Sequence, residues 1–495
     1  MFTFWFATIV FFGTYFLIAT EKVHKTTAAL VGASLMLFVV LQGPGHGSSD
    51  HEDTIVMNEA ALTVPEQVKE ALKDESIQLD NEEAQYAEGG AEWIQAKEIN
   101  PSEAYNKLDV YARYVNFDVI FTLAGMMVLV NILSGTGVFQ YIAIKCAKLA
   151  KGSPIRTMIL LVFATATLSA FLDNVTTVLL VAPVTLLVCA ELAVNPIPFL
   201  MAECMASNIG GTATLIGDPP NLIIGSYANL DFSAFLINLA IFIFVILVLY
   251  CVYLKLYYGK RMHVTIEQRA RIMELDEKAA ITDPVNMKRG GTVVLLTICG
   301  FLLHGALGFQ PCMVAMGGAA AALAVCKVNV DHALEKIEWS TLFFFLGLFI
   351  LVNGAEQAGL MHACGKIMSF MSDWPVLLII LVLMWFSGIA AAITNNVSYT
   401  AAMVSVVGEF LNATPSFASN LELQHLVWWG LALAICLGGN GTLVGAAANL
   451  VTVNIAAKNG HEVSFKHFLI YGGPTAFTTL VAASIYIAVR YFVCF

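Results

Sequence analysis

A chain of 495 residues with 58% hydrophobic and only 12% charged residues, and a mean hydropathy of +0.76, is too apolar for a soluble enzyme or a nucleic-acid-binding module. Sixteen of its 36 acidic and five of its 25 basic residues fall in 43–115, so the whole formal net charge of −11 resides in that one segment. That excludes reading the charge as a preference for a partner, and leaves an all-α polytopic membrane protein.

Apolar runs of about 16–28 residues, most of them long enough for a hydrocarbon core of ~30 Å, begin at Phe2 and Thr27. They predict two transmembrane helices within 1–42, and the missing basic n-region makes the first a helix rather than a signal peptide. The acidic segment 43–115 follows as an extracytoplasmic loop. Its His46, Asp50, His51, Glu52 and Asp53 have no known ligand spacing, so no metal is expected there. Residues 116–258 begin with a crossing from Asn116. Next, Lys145, Lys148 and Lys151 recur every three residues against an apolar face, which suits an interfacial helix. The apolar stretch 157–193 is interrupted by polar residues, as in a re-entrant hairpin. Crossings 199–226 and from Phe232 complete this part.

A cytoplasmic linker, 259–290, leads to residues 291–495, with crossings from Thr292, Met313, Thr341, Leu426 and Phe468 and a second hairpin at 375–411. The expectation is ten transmembrane helices plus two re-entrant hairpins. Lys and Arg in 21–25 and 144–156, and eight of them in 255–289, place those segments in the cytoplasm and both termini and loop 43–115 outside, in a bacterial inner membrane. Ten dispersed cysteines without a CxxC pair imply no disulfide framework.

The chain matches itself. "NFDVIFTLAGMMVLVNILSGTG" (116–137) aligns with "EWSTLFFFLGLFILVNGAEQAG" (338–359) at an offset of 222, and "AFLDNV" (170–175) then falls on "AITNNV" (392–397). "GGTATLIGDPPNLI" (210–223) lies on "GGNGTLVGAAANLV" (438–451) at offset 228, with seven of fourteen positions identical. The topology makes these repeats inverted, as in many secondary transporters.

Gly210, Gly211, Gly217, Pro219 and Pro220 break a helix within 199–226, as do Gly438, Gly439, Gly441 and Gly445 within 426–456. Freed carbonyls at membrane depth are tolerated only toward a cavity, an ion or another helix. The hairpin tips add Asp173, Asn174, Thr176 and Thr177 in the first copy and Thr394, Asn395, Asn396 and Ser398 in the second, hard oxygen donors that suit a small cation. Asn208, Thr212, Thr214, Asn221, Asn440, Thr442 and Asn449 complete the candidate set. Asp173 pairs with Asn395, so one tip has a carboxylate and the other none. An intramembrane carboxylate is costly and points to a transport pathway. Asp218 is read equally as a cap of the helix beyond it or as an ion contact. Asn131, Asn353 and Thr214 are equally open to service as helix–helix contacts. Glu203 and Glu409 lie outside the repeated motifs and are expected near an aqueous edge, with a proton relay as the rarer alternative.

With these residues in view, "SNIGGTATLIGDPPNLIIGS" (207–226), "SAFLDNVTTVLLVAPVT" (169–185), "AAITNNVSYTA" (391–401) and "GGNGTLVGAAANLV" (438–451) resemble the NhaD-type sodium/proton antiporters of the ArsB/NhaD permease group, and the melanosomal P protein is similar in the same motifs. All belong to the ion transporter superfamily. The resemblance implies a homodimer with elevator-like motion and no cofactor beyond the transported Na⁺ and H⁺. Divalent-anion symporters of that superfamily carry Ser-Asn-Thr at the tips. The tips here read Asp173-Asn174-Val175 and Asn395-Asn396-Val397, a departure that favours cation exchange.

The expected function is Na⁺ (or Li⁺) exchange for H⁺ by alternating access, with Na⁺ held by Asp173, Asn174, Asn208 and Thr212 and its partners limited to small ions and the lipid bilayer. The alternative is a Na⁺- or H⁺-coupled carrier of an anion or arsenite. No nucleophile–base pair suggests an enzyme.

Overall fold

A computed structural model describes residues 2–20, 23–41, 114–262 and 264–495, so nearly all of loop 43–115, including His46 to Asp53, lies outside the described residues. The chain divides into two units, Met1–Val40 with Val115–Phe495, and Leu41–Tyr114. The first unit is all-helical among the described residues.

Its helices are α1 (Phe2–Thr20), α2 (Lys25–Met36, prolonged by a π turn to Leu41), α3 (Phe117–Ser134), α4 (Val138–Leu149), α5 (Pro154–Ser169), α6 (Asn174–Leu192), α7 (Ile197–Gly211), α8 (Pro219–Ala228) and α9 (Phe232–Tyr258). After the linker helix α10 (Ile266–Glu274) come α11 (Pro284–Leu307), α12 (Pro311–Cys326), α13 (Val330–Glu335), α14 (Trp339–Gln357), α15 (Leu360–Met368), α16 (Val376–Thr394), α17 (Asn396–Ala413), α18 (Leu421–Gly438), α19 (Ala447–Lys458) and α20 (Phe465–Cys494). Among the described residues eight helices are long and apolar enough to cross a membrane, and Phe2–Ile18, Pro154–Ser169 and Pro311–Cys326 are shorter apolar helices. Crossings 199–226 and 426–456 are each two helices, α7 with α8 and α18 with α19, separated by the glycine-rich turns.

Helix starts recur. α14, α15, α16 and α17 begin 222 residues after α3, α4, α5 and α6, and α19 begins 228 after α8. Gly137 and Gly359 precede α4 and α15 with φ of +80° and +81°, a conformation that glycine adopts without cost. Packing crosses between the two series: α3 lies chiefly on α12, and α14 on α2. At these contacts a Cβ on Gly125 would meet the Ala315 backbone at 2.7 Å, and one on Gly347 the Ala29 backbone at 2.8 Å. Within each series the hairpin packs on the broken helix, α5 and α6 on α7, α16 and α17 on α18, and α7 meets α18 and α19. The unwound segments therefore face each other in the interior.

α4 buries Phe139, Ala143, Ile144 and Ala147, as expected of an amphipathic helix. Lys148 Nζ bonds the Glu277 carboxylate and the Leu275 carbonyl (3.0 Å), tying α4 to the 259–290 linker. That ammonium holds the Glu277 carboxyl below the usual carboxylate range.

Candidate functional site

Each hairpin turns just before α6 or α17, and the first side chain at the turn is the N-cap. Asp173 Oδ1 accepts from Thr176 N (2.9 Å), and its other oxygen accepts from the Thr176 hydroxyl. Asn395 accepts from Val397 N (3.1 Å), at a φ of +80° unusual for a residue with a side chain. Asp173 thus spends both carboxylate oxygens on its own helix. A short polar side chain at this position has orphan helix amides within reach, and Asp173 serves as the N-cap of α6.

Asp218 has the reverse arrangement. It stands at the N-cap position of α8 but makes no side-chain cap there, and it is 0% exposed. Asn396 of the second hairpin approaches both of its oxygens with Nδ2, at 3.2 and 3.4 Å. Asn174 of the first hairpin and Cys436 of α18 are also close neighbours of its carboxylate. Of the two roles open to Asp218, capping is the one it does not perform.

Between the hairpins runs a network of amides. Asn208 Oδ1 accepts from Asn174 Nδ2 (3.1 Å), while Asn208 Nδ2 donates to Asn440 Oδ1 (2.8 Å) and Asn449 Oδ1 (2.9 Å). The unwound carbonyls are largely taken up inside the protein. Asn221 Nδ2 lies 3.4, 3.3 and 2.8 Å from the carbonyls of Gly211, Thr212 and Thr214, and Asn449 Nδ2 donates to Gly439 and Thr442 at 2.8 Å each. An amide is the side chain that gathers several carbonyls at once while keeping an acceptor for another partner.

Other candidates hold the frame. The hydroxyls of Thr214 and Thr442 bond the carbonyls of Ala170 and Ala392, pinning each hairpin to its broken helix. Thr212 and Thr394 return their hydroxyls to Asn208 O and Ala390 O on their own helices, both at 2.8 Å. Gly210 and Gly438 are contact points: an added Cβ would lie 2.1 Å from Ala166 O and 2.4 Å from Gly388 O. Thr177 Oγ1, Ser398 Oγ and Asn440 Nδ2 are buried without a hydrogen-bond partner. The four groups expected to hold Na⁺ are thus divided, with Asn174 and Asn208 at the centre and Asp173 and Thr212 bonded within their own helices. Asn131 and Asn353 bond backbone carbonyls of Lys336 and Phe349 at 3.0 Å each.

Sequence reasoning did not place Cys204 and Cys436 at the site. Cys204 Sγ lies 3.1 Å from Asn449 Oδ1, and Cys436 Sγ 3.4 Å from Asn221 Oδ1. A signal existed for the second: at offset 228 Cys436 falls on Asn208. Glu409 is about half exposed, with His362 Nδ1 at 3.4 Å. Glu203 is 3% exposed, against the expectation of an aqueous edge, because α5, α6, α9 and α19 all pack around α7. Among the described residues no group of three His, Cys, Asp or Glu side chains could hold a metal ion.

A paired set of hairpins and broken helices meeting at buried amides is the architecture of a carrier, and sequence comparison agrees. A model of the CitMHS family, described as citrate transporters, matches residues 15–429. The chain belongs to the CitMHS family. It is 40% identical over 379 residues to an uncharacterized transporter of Mycobacterium tuberculosis, covering 77% of this chain and 87% of that one. A 46 kDa membrane protein of Mycobacterium leprae is 36% identical over 488 residues, 98% of this chain and 99% of that one. The human P protein is 30% identical over 77% of this chain, which spans 54% of that protein's length. Among solved structures, the YdaH transporter of Alcanivorax borkumensis shares the fold, with a TM-score of 0.56 at 14% identity over 76% of this chain and 85% of that one. This CitMHS protein is therefore a membrane transporter.

Proposed function

We propose that the protein is a sodium/proton antiporter in which Asp218 is the carboxylate that Na⁺ and H⁺ share. The observation that carries this reading is a fully buried carboxylate approached by amides from both hairpin tips, with no Lys or Arg in any of the four motif blocks. A carboxylate in that setting needs a counter-charge, and a proton or a small cation supplies it. The two ions compete for one group, so exchange follows without a separate coupling device. Thr177 Oγ1 and Ser398 Oγ, still without partners, are the neutral oxygens available to complete a coordination shell. Asp173 orders the first hairpin rather than binding the ion. Alternating access moves the hairpins and broken helices as a body against the α2, α3, α12 and α14 frame.

A second reading, a cation-coupled carrier of an organic anion, is favoured by the citrate description of the family. A polycarboxylate would meet amides and hydroxyls at this centre, beside the Asp218 carboxylate.

Reconstitution in liposomes with an imposed pH gradient tests both. Na⁺ or Li⁺ should dissipate the gradient in the wild type and not in Asp218→Asn. Citrate uptake without any cation-driven proton movement would replace the antiporter reading with the second.

A further inference from the structure

Away from the amide centre, one carboxylate has no role in the mechanism above. Glu203 lies on α7, five residues before Asn208, which is about 7–8 Å of helix rise. It is 3% exposed. Oε1 accepts from Thr185 Oγ1 of α6 at 2.6 Å, and Oε2 is buried with no partner. No charged side chain among the described residues pairs with it. The titratable groups around it are thiols: Cys189 from α6, Cys146 from α4 and Cys204 beside it on α7, with Tyr250 of α9 next to Cys204. α5, α18, α19 and α20, which also pack on α7, bring no acidic or basic group to it. Burying a carboxylate oxygen without a donor is expensive, and a proton on Oε2 relieves the expense.

Two further observations give this group a direction. A cavity of about 430 Å³ opens at the turn between α6 and α7, lined by Leu186, Cys189, Ala190, Asn195, Ile197 and His461. Cys189, one helical turn beyond Thr185, thus belongs both to the cavity wall and to the surroundings of Glu203. Toward the centre, Thr177 stands two turns before Thr185 on α6 with its own hydroxyl unpartnered. Glu203 and Thr185 are placed between cavity and centre. At the corresponding positions the second series is apolar: Thr185, Cys189 and Glu203 fall on Val407, Leu411 and Leu431, at most 2% exposed. Its own hydroxyl-bonded carboxylate, Glu356, which accepts from Ser405 at 3.3 Å, lies on α14 rather than on the broken helix.

We propose that Glu203, oriented by Thr185, is a proton-relay station serving only the half-pathway that opens at the α6–α7 turn. Protonated at rest on Oε2, the carboxyl passes that proton toward the Asn208 centre and is then reprotonated from the cavity, so one proton moves and the carboxyl returns to its starting state. The corresponding positions of the second series, Val407, Leu411 and Leu431, carry no ionisable group, so a station at this position exists in one copy of the scaffold only. This inference rests on the cation/proton reading above.

The test uses the full chain in liposomes, with Na⁺, Li⁺ and K⁺ each set against a pH gradient, and infrared spectra recorded across pH. Glu203→Gln should slow cation-driven proton flux by roughly a hundredfold, the low end for loss of a positioned proton-transfer group. It should remove one carboxylic-acid carbonyl band and leave the Na⁺-induced rise in thermal stability unchanged. Thr185→Val, which deletes a single hydroxyl contact, should shift that band and slow flux less, a signature that lost packing alone does not produce. A wild type that exchanges protons for a cation, matched by both variants, overturns the relay alone. A wild type that moves no protons against any of the three cations overturns the exchange reading and the relay together.

Discussion

Asp173 and Asp218 are the same side chain in two settings, and their neighbours assign them different work. Asp173 is followed by a helix whose first amides are unpaired, and its oxygens go to Thr176. Asn caps as well as Asp does, whereas Ala does not. Asp173→Asn should therefore retain most transport, while Asp173→Ala should lose about 1 kcal/mol of stability, read as a lower Tm in detergent. Full loss of exchange in Asp173→Asn would return the coupling role to that residue. Asn221 and Asn449 donate to backbone carbonyls of the unwound segments. Replacing either by Ala leaves buried carbonyls unsatisfied, at about 1–3 kcal/mol, so the expected result is a clear drop in thermal stability even without ions.

At the level of helices, close approach depends on glycine. Gly210 and Gly438 let α7 and α18 lie against α5 and α16, and Ala at either position would place a methyl group 2.1 or 2.4 Å from a backbone carbonyl. A flexible side chain could turn aside, but a helix backbone cannot. Gly210→Ala and Gly438→Ala should abolish transport and lower the yield of folded protein, whereas Gly317→Ala, with nothing within 4 Å of the added methyl, should behave as wild type in the same assays. The Lys148–Glu277 pair joins α4 to the linker at the surface. Because the folded carboxyl titrates below its unfolded value, this contact contributes at pH above the ordinary carboxylate range and is lost as acid protonates Glu277. Glu277→Gln should flatten that acid limb of the Tm-against-pH curve by slightly lowering Tm above the carboxylate range while leaving the acid end unchanged.

For the molecule as a whole, alternating access requires that buried groups become reachable in turn. Cys204 and Cys436 sit in the centre, while Cys494 is exposed at the end of α20. A small membrane-permeant maleimide should label Cys494 at once and Cys436 slowly, and Na⁺ should change only the slow rate. Cation-independent labelling of Cys436 would count against a centre that opens and closes with the ion.

Composition and repeated motifs were enough to indicate a polytopic helical protein, its two hairpins and its two broken helices. These follow from local causes: apolar length, glycine and proline in mid-run, and an identity pattern such as Asn221 and Asn449 at offset 228. Which carboxylate faces the centre was not legible, because "AFLDNV" and "IGDPPN" each offer an Asp before a helix and only three-dimensional neighbours show which one is taken by its own helix. The same holds for Glu203, whose burial depends on four helices from distant parts of the chain, and for Cys436, drawn into the centre by α18 packing on α7. Hydropathy is a property of a segment, and the sequence alone determined what depends on segments. Whether a polar atom is already hydrogen-bonded depends on contacts between residues far apart in the chain, and only the tertiary structure decided that.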